Sequence, residues 1–403
     1  MLRGGELRSH ERFGPEAVNR GAVLWECEWD GGIFESGVML GGVFRSGTFR
    51  GGVFWAGLWK GGTWSGGLWH NGFGEDGRYR PRGAFPGAAL AGARVSPRPL
   101  ESRATPQATV FTASVHEDVA RLWLTCLRRA LPQAETAIEI FDDSADGALA
   151  MQNFPGVSIL RGAPERPDFQ IAYNDALTRA TTPLLAFADT DVFWVSSGVW
   201  PRVRRELGAP NVAAVACVSR SAAESHGTFA VVMRADVYRD VLRNVPDGFA
   251  PLVESEVAGG LPGRWRGHDT GDLATRAVRA AGYEVKLLNL EEQGEFVRFD
   301  AITNTRLIGG WVGPGLLAEM AVANAYFRRG CLGCFALARL HDRLFPDVPP
   351  FAPPISRAEF WSAFSRHPRA LARALKDSRE FAAGTRRIRR FLADSQGAAT
   401  TSS

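Results

Sequence analysis

The residues best suited to chemistry are two carboxylates one residue apart, in the run Ala186-Phe187-Ala188-Asp189-Thr190-Asp191. They end an apolar stretch, PLLAFADTDVFW, that reads as a buried strand. In the turn after such a strand, Asp189 and Asp191 can share one hard divalent cation, Mg²⁺ or Mn²⁺. These ions take few protein oxygens and complete their shell from phosphate and water. A departing diphosphate needs that charge neutralised. An isolated Asp-x-Asp also describes a solvated turn, so the surrounding elements decide.

Other candidates are grouped in two places. Asp142 and Asp143 close the run AIEIFDDS, where Asp-Asp-Ser would equally make a good cap. Downstream, Gly267-His268-Asp269-Thr270-Gly271-Asp272-Leu273 brings two acids and a histidine together before a helical pattern. Asp272 stands where a helix N-terminus favours an acid in any case. A lone histidine such as His268 is more often a hydrogen-bonded structural residue than a ligand. Cys331 and Cys334 are spaced as CxxC with no second pair, so core thiols are expected rather than zinc.

The elements that must position these groups alternate. Ala108 to Val115 is a β-branched run, a strand; the next stretch, HEDVARLWLTCLRRAL, has helical apolar spacing at Val119, Leu122, Trp123 and Leu127. AIEIFDDS and VSILR read as strands, FQIAYNDALTRAT as a helix, and the Asp-x-Asp strand follows. Alternation of this kind predicts a parallel sheet with helices on both faces and ligands at the carboxyl ends of the strands. Asp142, Asp143, Asp189 and Asp191 all fall at such ends. From Leu316 the pattern is helical, ending in one basic helix, Arg357 to Leu392, and a polar tail.

Strand, acids, strand, Asn-bearing helix and Asp-x-Asp strand together resemble the GT-A glycosyltransferases, notably the family 2-like group. The matching pieces are Phe111-Thr112-Ala113-Ser114-Val115, Phe141-Asp142-Asp143-Ser144, Ala172-Tyr173-Asn174-Asp175-Ala176 and Asp189-Thr190-Asp191. Downstream, Gly267 to Leu273, followed by Arg276 and Ala281-Gly282-Tyr283, looks like the family's acidic catalytic segment and its helix. The resemblance spans Ala108 to Asn289, less than half the chain. It implies a Rossmann-type mixed sheet, a nucleotide-sugar donor, and Mn²⁺ or Mg²⁺ on Asp189 and Asp191. It also implies substrate or nucleotide contacts from Asp142, Asp143, Asn174 and Asp189, and a carboxylate base for an inverting, hexosyl-type transfer. The family usually shows Glu-Asp at the base. Here His268-Asp269 stands in that place, or Asp269-Thr270 with Asp272 beyond, so Asp269 and Asp272 are both candidates and His268 a neighbouring substrate contact. Ser225 to Phe229 with Arg234 would form an acceptor wall. No third metal ligand is evident after Tyr283, since the next histidine is His341.

Two other functions stay open. A sugar nucleotidyltransferase uses a similar sheet but opens with a Gly-rich basic loop; His116-Glu117-Asp118 would cradle a triphosphate poorly. A non-catalytic assembly or binding protein with a degenerate transferase domain fits the altered acidic segment.

That last reading draws on a repeat. Glycine recurs every five residues from Gly32 to Gly72, and two places after each comes a bulky residue, Phe34, Met39, Phe44, Phe49, Phe54, Trp59, Trp64, Trp69. Period five is neither helix nor simple strand, so stacked units sharing a core are expected. The pattern resembles the pentapeptide-repeat family, a four-sided right-handed β-helix, although Gly replaces the usual small inward residue. A ten-residue beat also suits a hairpin meander, as in the membrane-occupation repeat family.

The chain is thus expected to hold a tail (1–20), a β-repeat platform (21–73), a Pro/Gly-rich linker (74–107), the α/β domain (108–315), a helical region (316–394) and a disordered tail (395–403). A net charge of +4 in 403 residues gives no strong pull towards nucleic acid, and no reading motif accompanies it. Five scattered cysteines make no disulfide framework. Arg3, Glu6, Arg8, Glu11 and Arg12 leave no apolar leader, and Val212 to Val218 is too short to cross a bilayer, so a cytoplasmic location is expected. The arginine-rich terminal helix suits peripheral contact with anionic lipid, and the repeat suits self-association. The acceptor, a glycan, lipid or protein, has no signature.

Overall fold

The computed structural model describes residues 1–70, 72–75, 79–80, 106–144, 149, 154, 156–161, 169–217, 229–245, 248–249 and 270–394. It divides into two compact units, one of Met1–Arg94, Ala163–Ile171 and Ala250–Thr270 and one of Val95–Gly162, Ala172–Phe249 and Gly271–Ser403. Most of the expected linker, the tail 395–403 and residues 218–228 and 250–269 lie outside the described residues.

The first unit is a parallel β-solenoid. Its strands are β1 (Leu2–Arg3), β2 (Leu7–Ser9), β3 (Arg12–Phe13), the long ribbon β4 (Val18–Phe49), β5 (Val53–Trp59), β6 (Thr63–Trp64), β7 (Leu68–Trp69), β8 (Gly72–Phe73) and β9 (Tyr79–Arg80). Val38 pairs with Val53, Thr48 with Thr63, Val53 with Leu68 and Leu58 with Phe73, all in parallel. Each pair is three five-residue units apart, so one coil has three edges. This corrects the four-sided coil expected from the pentapeptide resemblance. It also removes the hairpin meander, whose strands would pair antiparallel; among the described strands of this unit only β8 and β9 do so.

The interior explains the count. Trp59, Trp64 and Trp69 close a triangle of edge-to-face rings, with centroids 5.7, 5.9 and 6.5 Å apart. Three aromatic rings in that arrangement fill the coil and leave a fourth edge nothing to cover. Along the axis the rings form three stacked columns. Phe34, Phe49 and Trp64 follow at 4.5 and 4.4 Å, Phe44 and Trp59 at 4.3 Å, Phe54 and Trp69 at 4.5 Å. These distances are close to the spacing of hydrogen-bonded strands. The glycines mark the corners. Gly52 has φ +91°, and a Cβ there would meet the Gly37 carbonyl oxygen at 2.4 Å. Strands β1 to β3 occupy the stretch expected as a tail, and Phe13 packs 5.6 Å from Trp29 over the first coil.

The second unit is a mixed α/β sheet. Its strands are β10 (Ala108–Ser114), β11 (Thr136–Asp142), β12 (Ser158–Arg161), β13 (Leu184–Ala188), β15 (Val212–Ala216), β16 (Ala230–Arg234) and β17 (Glu284–Leu287), in the order 12-11-10-13-16-15-17. All neighbours are parallel except β16, which runs antiparallel to β13 and β15. A small antiparallel pair, β14 (Val192–Trp194) with β18 (Phe296–Arg298), stands apart. The helices between are α1 (Glu117–Ala130), α2 (Phe169–Arg179), α3 (Val199–Leu207), α4 (Ala235–Leu242) and α5 (Asp272–Ala280). Strands β13 and β15 are almost wholly buried, as strands covered on both faces must be. Helix α1 buries Val119, Leu122, Trp123, Cys126 and Leu127 on one face, with acids in its first turn and arginines in its last to suit its dipole.

The helical region begins earlier than expected, at α6 (Ile302–Val312), and continues through α7 (Pro314–Ala323), α8 (Ala325–Leu344), α9 (Arg357–Ser365) and α10 (Pro368–Ala393). The single basic helix expected over Arg357 to Leu392 is two helices. Pro368 starts α10 and lacks the N–H to continue α9, and His367 before it turns to φ −129°, ψ 80°. Cys331 and Cys334 are buried free thiols in α8. Among the described residues no helix is long and apolar enough to cross a membrane.

Candidate active site

The site is assembled where β10, β11 and β13 end together. Ser114 lies in register with Asp142, and the Asp143 N–H donates to the Ser114 carbonyl at 2.9 Å. On the other side of β10, Phe111 is in register with Phe187, two residues before Asp189. The expected acids Asp142, Asp143, Asp189 and Asp191 therefore stand at one edge of one sheet.

The Asp-x-Asp turn is held from several directions. The Asp189 N–H donates to the Phe229 carbonyl at 2.9 Å, and the Val192 N–H donates to the Asp189 carbonyl at 3.1 Å. The Phe299 N–H donates to the Asp191 carbonyl at 2.9 Å, which ties the turn to the end of β18. Aromatic packing locks the small β14–β18 pair: Trp194 meets Phe296 at 5.0 Å and Phe193 meets Phe299 at 5.5 Å. The turn is thus positioned by backbone hydrogen bonds on both sides.

Asp189 is half-buried and accepts from the Tyr173 hydroxyl at 3.1 Å. Tyr173 is itself buried on α2, packed 4.5 Å from Phe187. Asp191 is half-buried, and its carboxyl is held well above the usual carboxylate range. Loss of water is the main cause, followed by the charges of Asp189 and Asp300; Arg298 opposes them. Arg298 forms an ion pair with Asp300 at 2.9 Å, and Arg329 of α8 reaches Asp300 at the same distance. A carboxyl that resists ionisation beside two other acids is where a bound cation would relieve the repulsion. Among the described residues no group of three or more His, Cys, Asp or Glu is placed to hold a metal. Two carboxylates from one turn nevertheless fit Mg²⁺ or Mn²⁺, which keep much of their shell as water and phosphate.

The remaining predicted residues are placed unevenly. Asp142 and Asp143 are buried, and Asp142 Oδ1 accepts from the Ser144 N–H at 3.0 Å and from its hydroxyl. Asn174 Oδ1 accepts from the Phe249 N–H at 3.1 Å, so this side chain fastens the 248–249 turn. Asp272 is the first residue of α5. His268, Asp269 and Ser225 to Thr228 lie outside the described residues. Tyr173, Arg298 and Asp300 were not singled out in the sequence. Tyr173 sits in a quoted motif, but nothing local to Arg298 or Asp300 marks them.

The loop after β10 carries a different device. Arg306 of α6 bonds to Asp118 at 2.6 Å, and burial with the Arg306 charge pushes His116 down to about 4, against the pull of Asp118. His116 is neutral at pH 7 and the first turn of α1 behind it is braced by an ion pair, an arrangement unlike a phosphate cradle.

No family model and no curated protein matches the chain. Solved structures with some likeness include a mannosyltransferase, PcManGT, from Pyrobaculum calidifontis in complex with GDP-Man and Mn²⁺. It is 15% identical over 75% of this chain and 90% of its own, with a TM-score of 0.33. S. aureus TarS 1-349 is 13% identical over 68% and 81%, with a TM-score of 0.35. A 2-C-methyl-D-erythritol 4-phosphate cytidylyltransferase from Thermus thermophilus is 15% identical over 45% and 88%, with a TM-score of 0.28. At these scores the function has to be argued from the site itself.

Proposed function

We propose that the α/β unit is a metal-dependent glycosyltransferase that moves a sugar from a nucleoside diphosphate sugar to an acceptor hydroxyl. One observation carries this reading: Asp189 and Asp191 leave the carboxyl end of the central strand β13 as a braced pair, with Asp191 already resisting its negative charge. Mn²⁺ or Mg²⁺ at this pair would neutralise the departing diphosphate. Tyr173 orients Asp189 for it. Asp142 and Asp143, at the end of β11 beyond β10, would read the ribose or base through their acceptor oxygens, with Asn174 holding the 248–249 turn. Asp269 or Asp272, with His268 alongside, would take the acceptor proton in an inverting, hexosyl-type transfer. Self-association through the solenoid and contact of α10 with anionic lipid belong to the same reading.

The test is donor hydrolysis across a panel of nucleotide sugars, with and without Mn²⁺, beside donor binding by Asp191→Ala. The variant should keep its circular dichroism and lose metal-dependent donor binding. Wild-type affinity in the variant at saturating Mn²⁺ would remove the metal assignment. Pyrophosphate release from a nucleoside triphosphate and a sugar phosphate would instead point to nucleotidyl transfer.

A further inference from the structure

A cleft of about 470 Å³ lies between the last helices of the second unit, and no step above uses it. Helix α8 lines it with Arg339 and Arg343, α9 with Arg357, and α10 with Arg386 and Arg389, over a floor that includes Phe335 and Trp361. Among the described residues no Asp or Glu lines it. The acids that join α8 to α10 are engaged elsewhere: Asp377 bonds Arg328 at 2.8 Å, and Glu380 bonds Arg329 at 2.8 Å. Arginines from three helices thus face one void whose lining holds no counter-charge.

Helix dipoles do not account for this set. Arg343 does sit in the last turn of α8, where a cation is favoured. Arg357 is the first residue of α9, the end at which a cation is disfavoured. It is nonetheless held in place, donating to the Phe335 carbonyl at 2.8 Å with its guanidinium 5.2 Å from the Phe335 ring. Burial, and then the charge of Arg339, lower its proton affinity. The choice of residue is also informative. Every cation lining the cleft is Arg, while Lys376 of α10 lies outside it. Guanidinium forks bind phosphate bidentately, which an ammonium cannot do. The volume is within the range of small-ligand sites.

We propose that this cleft is a binding site for a phosphate-bearing anion of two or more charges, gripped by Arg339, Arg343, Arg386 and Arg389, with the aromatic floor taking its less polar part. A free phosphorylated metabolite and a phospholipid head group present the same chemistry. The experiment uses the full chain in chelator, so that the Asp189–Asp191 pair holds no metal. Inorganic pyrophosphate is titrated by calorimetry, and phosphatidylcholine vesicles with or without phosphatidic acid are tested by co-sedimentation. The proteins are wild type, Arg386→Gln/Arg389→Gln, Arg339→Gln and Asp191→Asn. Wild type and Asp191→Asn should bind alike, and the double variant at least about tenfold more weakly, as expected on losing charge-assisted hydrogen bonds. Arg339→Gln, a single exposed change, should weaken binding in the same direction. Binding of pyrophosphate identifies a soluble ligand; binding only of phosphatidic acid vesicles identifies a lipid head group. The proposal fails if neither binds, if the arginine changes leave binding unmoved, if Asp191→Asn abolishes it, or if polyglutamate competes as well as pyrophosphate.

Discussion

The raised proton affinity of Asp191 means that the folded protein, free of metal, binds more protons than the unfolded chain once pH exceeds the ordinary carboxylate value near 3.9. Stability therefore falls as pH rises from there towards the folded value, and the penalty stands in full above it. Asp191→Asn should melt higher than wild type at neutral pH in chelator, with the difference closing as pH drops below about 4. Added Mn²⁺ should raise the wild type and leave the variant unmoved. A variant that melts lower than wild type at neutral pH would show that the carboxylate is well solvated. The second prediction assigns the base. Asp269→Asn should lower kcat far more than donor affinity, because a base acts in the transition state, and Asp272→Asn should be milder. The reverse order in steady-state kinetics would transfer the role to Asp272. The Asp-x-Asp pair was legible because both acids and their strand are contiguous. Tyr173, Arg298 and Asp300 were not, because strand pairing and helix packing bring them in from distant positions.

At the scale of elements, the solenoid shows which part of a repeat is local. Five-residue spacing of glycine and aromatics is written along the chain, and it yields the edge and the corner. The number of edges per coil is not, because it depends on how three rings meet across the axis. The glycine requirement should differ with position. Gly5 has φ +85° and nothing within 4 Å of a Cβ, so Gly5→Ala should cost about 1 kcal/mol for the left-handed backbone alone. Gly52→Ala adds a contact of 2.4 Å with the Gly37 carbonyl oxygen, against backbone that is stacked and cannot yield. Its loss should be at least about twice that of Gly5→Ala, read from urea unfolding midpoints followed by tryptophan fluorescence. Equal losses would mean that the coils slide apart freely. The break at Pro368 teaches the opposite lesson: a local signal in plain view outweighs a basic pattern that runs through it.

At the scale of the whole molecule, each unit carries its own core. The solenoid core is a column of its own residues, Trp29, Phe34, Phe44, Phe49, Phe54 and Trp59 among them, all shielded from solvent. The α/β unit buries Leu122, Trp123, Phe187 and Val215. Two cores of different construction predict two unfolding transitions in calorimetry of the full chain. Phe49 is stacked between Phe34 and Trp64 and meets Phe44, Phe54 and Trp59 edge-on, so Phe49→Ala removes all these ring contacts and opens a void, at a cost of about 3–5 kcal/mol. It should lower only the solenoid's transition. Leu122→Ala, fully buried on α1, should lower only the other, by about 2–5 kcal/mol. Mn²⁺ with the nucleoside diphosphate found in the donor panel should raise that second transition alone, since a ligand stabilises only the unit that binds it. Donor hydrolysis by Phe49→Ala should then match wild type at temperatures where its solenoid is still folded. A single transition shifted alike by both substitutions, or hydrolysis lost in Phe49→Ala, would make the repeat a structural part of the enzyme rather than a platform beside it.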